Sequence, residues 1–167
     1  TICIEKYIFA IKRQFKGILN LKPNFLLEQK LINSGNNIIA GTDEVGRGSW
    51  AGPVTAAAVI LDPKKIPMGL NDSKKLPKSI REKLSKEIIS CAIKYSIIHI
   101  DVKEIDTLNI LQASMLAMHE AVEALEINPN HVLIDGNRIP KQLKCPATAL
   151  VKGDSLSLSI AAASIIA

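Results

Sequence analysis

Aromatic side chains make up only 4% of the 167 residues, too few for a single-strand binder built on successive stacked rings. Cysteine is scarce as well. Cys3, Cys91 and Cys145 lie far apart with no C-x-x-C, which argues against a disulfide scaffold or a zinc site and fits a reducing cytoplasm. No apolar run reaches the roughly 18 residues of a membrane span, and the longest candidate, residues 155–167, is interrupted by serines. No secretory signal is evident. Neither H-E-x-x-H nor G-x-S-x-G occurs. His119 falls on a helical pattern and His99 on a strand pattern, where structural roles are expected.

What is present is a 47% hydrophobic, 22% charged chain, enough for one domain with a real core. The formal net charge is +5 and unevenly spread. Residues 1–40 hold six basic groups against Glu5 and Glu28. Residues 64–86 hold eight basic groups against Asp72 and Glu82. The second stretch suits either a phosphate backbone or an ordinary solvated helix face.

Apolar periodicity sets out the elements. Residues 2–21 read as an amphipathic helix that Pro23 interrupts; it is a peripheral helix, a surface-seeking basic segment or sequence outside the domain. A short helix is expected over 25–32 and a buried strand over 38–43. The glycines at 46, 48 and 52 make a loop, and a second strand comes next over 53–61. Pro77 suits a helix start, with Ser79 and Glu82 offering a capping box and Ile80, Leu84 and Ile88 on one face. A third strand is expected over 95–102. The clearest helix spans 109–125, with Leu111, Met115, Met118, Val122 and Leu125 as a core stripe. A fourth strand over 131–134 ends at Asp135, a fifth covers 147–151, and a buried helix closes the sequence. Strands interleaved with helices predict an α/β domain with a mixed sheet.

Two strands end in acid: Asp43, with Glu44 beside it, and Asp135; Asp154 lies between a strand and a helix. Ligands of open α/β sheets collect at the carboxyl ends of strands. Four carboxylates brought together there repel, and cations or raised pKa values must relieve them. Hard oxygen ligands select Mg²⁺ or Mn²⁺, and a pair of such ions can drive phosphoryl displacement. Each acid also has a plainer role: Asp135-Gly136-Asn137 as a turn, Asp154 as a helix N-cap, Asp43-Glu44 as a loop pair. Gly41 and Gly46 have the spacing of a P-loop, but Arg47 and Gly48 replace its Lys and hydroxyl, and two acids occupy the cradle.

These residues resemble a known family. Asp43-Glu44-Val45-Gly46-Arg47-Gly48, then Ala51-Gly52-Pro53-Val54, is similar to the opening motif of bacterial ribonuclease HII. Asp72-Ser73-Lys74-Lys75-Leu76, Ile134-Asp135-Gly136-Asn137-Arg138 and Lys152-Gly153-Asp154-Ser155 match its later blocks in order, and Ile160-Ala161-Ala162-Ala163-Ser164-Ile165 its next helix. The arginine at 47 points to this type over the ribonuclease HIII relatives, which usually carry lysine there.

The resemblance implies a ribonuclease H-like fold with a mixed five-stranded sheet flanked by helices. It implies a metal-dependent endonuclease that hydrolyses RNA in RNA–DNA hybrids and nicks 5′ of ribonucleotides embedded in DNA, leaving 5′-phosphate and 3′-hydroxyl ends. Asp43, Glu44, Asp135 and Asp154 would hold two Mg²⁺ or Mn²⁺ ions. Gly46, Arg47 and Gly48 would contact the ribonucleotide, largely through backbone, and Lys74, Lys75 and Lys152 its phosphates. The expected protein is a cytoplasmic monomer without membrane contact. Residues 1–24 would be an extension of unassigned role and 25–167 a catalytic domain incomplete at its C-terminal end, since the family usually continues past Ala167. Ser49-Trp50 stands where the family more often has Pro-Leu. A truncated, inactive nucleic-acid-binding fragment and a P-loop-like NTPase are the alternatives.

Overall fold

In a computed structural model, residues 22–48 and 52–167 are described. The amphipathic segment 2–21, the Ser49-Trp50 pair and Ala51 lie outside the described residues. Five strands form one sheet: β1 (Ile39–Val45), β2 (Val54–Ile60), β3 (Lys94–Ile100), β4 (His131–Asp135) and β5 (Ala147–Leu150). Their spatial order is β3-β2-β1-β4-β5. β1 to β3 form an antiparallel meander, whereas β4 runs parallel to β1 and β5 parallel to β4. The mixed sheet expected from the sequence is therefore present.

β2 is buried along its whole length. A strand covered on both faces needs no polar side, and apart from Thr55, whose hydroxyl is paired with His99 Nδ1 at 2.8 Å, its sequence is apolar. Side chains alternate across it. Ala56, Ala58 and Ile60 pack with Ala113, Ala117, Met118 and Ala121 of α4 (Ile110–Glu123). Ala57 and Val59 face the opposite layer, with Leu84 and Ile88 of α2 (Lys78–Cys91) and Ala161–Ala163 of α5 (Leu158–Ile166). Alanines on both strand and helix let these layers approach closely. α1 (Leu26–Asn33) packs Leu27 and Leu31 against Ile39, Leu133, Leu150 and Ile160.

Several local expectations are corrected. The capping box at Ser79 does not form: α2 starts at Lys78 with Pro77 at the N-cap and no side-chain cap, so Ser79 already lies in the helix. Ile80 is largely exposed, leaving Leu84 and Ile88 as the buried face. A further helix, α3 (Val102–Leu108), precedes α4; it is short, with only Ile105 packed partly against the core, and Asp101 starts it by accepting from the Glu104 amide at 2.9 Å. Asp154 is not the N-cap of α5. That role falls to Ser157, which accepts from the Ile160 amide at 3.2 Å.

Candidate active site

Because β1 and β4 are parallel neighbours, their carboxyl ends lie at the same sheet edge. β1 continues two residues past the expected strand end, so Asp43 and Glu44 are both paired strand residues, opposite Ala57 and Ala56 of β2. This pairing also removes the P-loop reading. Residues 41–45 are strand, and the glycine loop leads into another strand rather than a helix.

Adjacent strand residues point to opposite faces. Asp43 turns toward α5, where Ser164 hydrogen-bonds its carboxyl, and Ser164 in turn shares a 2.8 Å bond with Ser73. Glu44 turns toward α4 and lines a cleft of about 270 Å³ with Arg47, Leu111, Met115, Asp135, Gly136, Asn137 and Arg138. The N-terminal end of the α4 stripe thus borders this cleft, while Met118, Val122 and Leu125 are core. Sequence periodicity alone does not distinguish those two environments.

The electrostatics record crowding. Asp43 is 6% exposed. Burial, then the charges of Asp135 and Glu44, push its carboxyl up to about 8. Burial also raises Glu44, offset by a 3.0 Å bond from Arg47 Nη1 to its Oε1; its Oε2 is buried with no protein partner. Asp135 Oδ1 accepts from the Gly153 amide at 2.6 Å, tying the end of β4 to the turn that carries Asp154. Asp154 is raised by burial and then by the charges of Asp72 and Asp135.

Asp72 opens the Asp72-Ser73-Lys74-Lys75-Leu76 block, but sequence patterns give it no place among the acids, because it looks like loop punctuation. Its carboxylate accepts from the Lys74 amide at 3.0 Å, lies 3.7 Å from Lys75 Nζ, and stands close enough to Asp154 to raise that carboxyl. Lys74 and Lys75 are therefore brought to the acids. Lys152 is exposed beside Asp154, in a left-handed backbone conformation at φ 60°. Gly46 has φ +96°, and a Cβ there would collide with the Pro53 carbonyl, so only glycine fits the bend leading to Arg47 and Gly48.

Three features suit a hard divalent cation: an all-oxygen donor set, an orphaned buried carboxylate oxygen on Glu44, and mutual repulsion that positive charge would relieve. The acids share the sheet edge without forming a finished coordination sphere. Among the described residues, no three acid, histidine or cysteine side chains converge closely enough to hold an ion as they stand. Asp43 and Glu44 face opposite sides of the sheet, and Asp135 Oδ1 is taken up by the Gly153 amide.

A family model described as Ribonuclease HII matches residues 40–167. The chain belongs to the ribonuclease HII family. A ribonuclease HII of Ruegeria pomeroyi (strain ATCC 700808 / DSM 15171 / DSS-3) is 57% identical over 146 residues, covering 87% of this chain and 62% of that protein. One from Jannaschia sp. (strain CCS1) is 54% identical over 145 residues, covering 87% and 70%. The chain thus spans about two thirds of the length of these curated relatives. Among solved structures, the ribonuclease H2 from Pyrococcus horikoshii OT3 aligns with TM-score 0.68 and 29% identity over 77% of this chain and 69% of that one. The ribonuclease H-like fold with a mixed five-stranded sheet, implied by the resemblance, is the fold observed. No helix among the described residues is long and apolar enough to cross a membrane.

Proposed function

We propose that this chain carries the catalytic centre of an endoribonuclease that cuts RNA in RNA–DNA hybrids and nicks DNA on the 5′ side of an embedded ribonucleotide. The observation that carries this reading is the placement of Asp43, Glu44 and Asp135 at the carboxyl ends of adjacent strands, near enough that the charges of Asp135 and Glu44 add to burial in raising the Asp43 carboxyl. Such repulsion is costly in a fold and is useful where cations must bind. A solved structural neighbour of the same fold is described as a ribonuclease HIII in complex with Mn²⁺.

Asp43, Glu44, Asp135 and Asp154 would hold two Mg²⁺ or Mn²⁺ ions. When bound, such ions supply water activation and stabilisation of the leaving oxygen in phosphodiester hydrolysis. Ser164 orients the Asp43 carboxyl, and Arg47 holds one oxygen of Glu44 so that the other points free of it. The bend at Gly46 brings the backbone of 46–48 up to a ribose, where the 2′-hydroxyl separates RNA from DNA. Lys74, Lys75 and Lys152 border the acids and take the flanking phosphates. The protein acts as a cytoplasmic monomer on duplex substrates.

The test is a DNA duplex containing one ribonucleotide, incubated with the protein and Mg²⁺ or Mn²⁺. A single nick 5′ of the ribonucleotide, leaving 5′-phosphate and 3′-hydroxyl ends, is expected; an intact duplex with both metals overturns the reading. The unfinished coordination sphere favours one second reading, a nucleic-acid-binding segment without turnover. It predicts salt-sensitive duplex binding with no cleavage under the same conditions.

A further inference from the structure

Glu28 is an unusual residue for a surface helix. It is 0% exposed, although the sequence around it, Leu26-Leu27-Glu28-Gln29-Lys30, reads as an ordinary amphipathic turn. Its Oε1 accepts from Ser157 Oγ at 2.5 Å and from the Ser159 amide at 3.0 Å. Ser157 is the N-cap of α5 and Ser159 lies in its first turn. A carboxylate from a distant helix therefore satisfies donors that a helix start leaves open. Asn24 adds a second grip: its amide donates to the Leu156 carbonyl at 3.4 Å, and its carbonyl accepts from the Leu158 amide at 3.3 Å. On the other side, Gly41 of β1 leaves no room for a Cβ against the Ser159 backbone.

The held segment, residues 156–159, comes directly after the Gly153–Ser155 turn that carries Asp154. On its other side the turn is tied to β4 by the 2.6 Å bond from the Gly153 amide to Asp135 Oδ1. Lys152 before it sits in the left-handed region, and the remaining backbone bonds of the turn are local, Ser155 amide to Lys152 carbonyl and Leu156 and Ser157 amides to Gly153 carbonyl. Past the clamp, the same helix delivers Ser164 to Asp43. Both Asn24 and Glu28 precede residue 40, where the family match begins.

We infer that Asn24 and Glu28 form a clamp on the 156–159 link, and that Glu28 is a positioning residue that holds Asp154 and α5 in register with Asp43 and Asp135. The inference rests on the ribonuclease reading for its catalytic consequence, but not for its structural one. A buried carboxyl with two donors, one of them the cap of the helix next to an acid, sets the place of that acid without touching substrate. Outer partners of this kind typically change metal affinity or activity by about 10–100-fold when removed.

The test compares Glu28→Ala, Glu28→Asp and Glu28→Gln with the unsubstituted protein. Glu28→Ala should speed amide hydrogen exchange at residues 153–157 of the metal-free protein by about tenfold. It should also weaken Mn²⁺ binding, measured by calorimetry, and lower kcat by about 10–100-fold with KM for the ribonucleotide duplex unchanged. Glu28→Gln keeps the accepting oxygen and should recover most of each loss. Glu28→Asp withdraws the carboxylate by one methylene and should fall between; it carries the test if the alanine variant does not fold. Exchange at 153–157 and Mn²⁺ affinity within twofold of the unsubstituted protein, with only the melting temperature lowered, would overturn the inference. An unsubstituted protein that leaves the duplex intact defeats the ribonuclease reading alone, and the exchange and Mn²⁺ measurements then still decide the clamp.

Discussion

The acids at the sheet edge and the lysines of residues 64–86 carry opposite charge in opposite settings. Asp43 is nearly sealed from water, and Asp154 and one oxygen of Glu44 are buried. Most of the lysines are in solvent. Lys78 lies 3.8 Å from Glu82 and Lys83 lies 3.7 Å from Glu87, both one helical turn apart on the exposed face of α2. Such pairs contribute about 0.3–0.5 kcal/mol each. A buried carboxylate that meets other carboxylates instead costs stability, and a sequence keeps that arrangement for what it does with cations. Charge density along the chain therefore says little about where a charge acts. Of the basic stretch, Lys74 and Lys75 reach the acids through Asp72, while the α2 lysines form the solvated face that the composition equally allowed.

The strongest way to break this contrast is to neutralise its most buried member. If Asp43 holds cations as proposed, Asp43→Asn should lower nicking by about 10³-fold or more, because several kcal/mol of charge stabilisation would go with them. The same variant should melt higher than the unsubstituted protein at pH 8 without metal, by about 2–4 °C per kcal/mol of relieved repulsion. Loss of cleavage with a lower melting temperature would show that Asp43 is structural rather than strained.

A pH series sharpens the point. The folded Asp43 carboxyl titrates at about 8 against an ordinary value of 3.8. Below the unfolded value the proton is bound in both states and its contribution to stability is fully present. As pH rises toward 8 the unfolded chain releases the proton more readily, so that contribution is lost progressively and is gone above the folded value. The metal-free protein should therefore melt lower at pH 8 than at pH 5. Asp43→Asn or added Mn²⁺ should flatten the slope, and an equally steep slope in the asparagine variant would assign it elsewhere.

Smaller effects separate the two kinds of lysine. Lys74→Ala should raise KM for the duplex and reduce the salt slope of binding by about 1, with kcat little changed. Lys83→Ala should shift stability by less than about 0.5 kcal/mol and leave the salt slope unaltered. Equal salt slopes for the two variants would mean that the whole stretch faces the duplex.

Much of this was legible along the chain because the signals are local. An apolar run leading into Asp-Glu or Asp-Gly marks a buried strand, and for β4 also its end, although β1 runs on to Val45, and Leu84 and Ile88 or Met118, Val122 and Leu125 mark helix faces by spacing alone. Glu28, Asp72 and α3 were not legible. Glu28 and Asp72 look solvent-facing until partners more than 80 residues away close over them, and α3 is a two-turn helix with only Ile105 packed partly against the core. The Ser79 capping box matched a pattern whose helix had started at the residue before.

Local sequence set which acids lie toward the carboxyl ends of strands, which glycines bend the backbone beside them, and the family to which the chain belongs. Only the tertiary structure decided that β1 and β4 run parallel, which puts their acids at one edge, and that Asp43 and Glu44 turn to opposite faces of the sheet. The reason is range. Strand ends and turns depend on neighbours a few residues apart, whereas repulsion, burial and the clamp at Glu28 exist only once distant segments pack together.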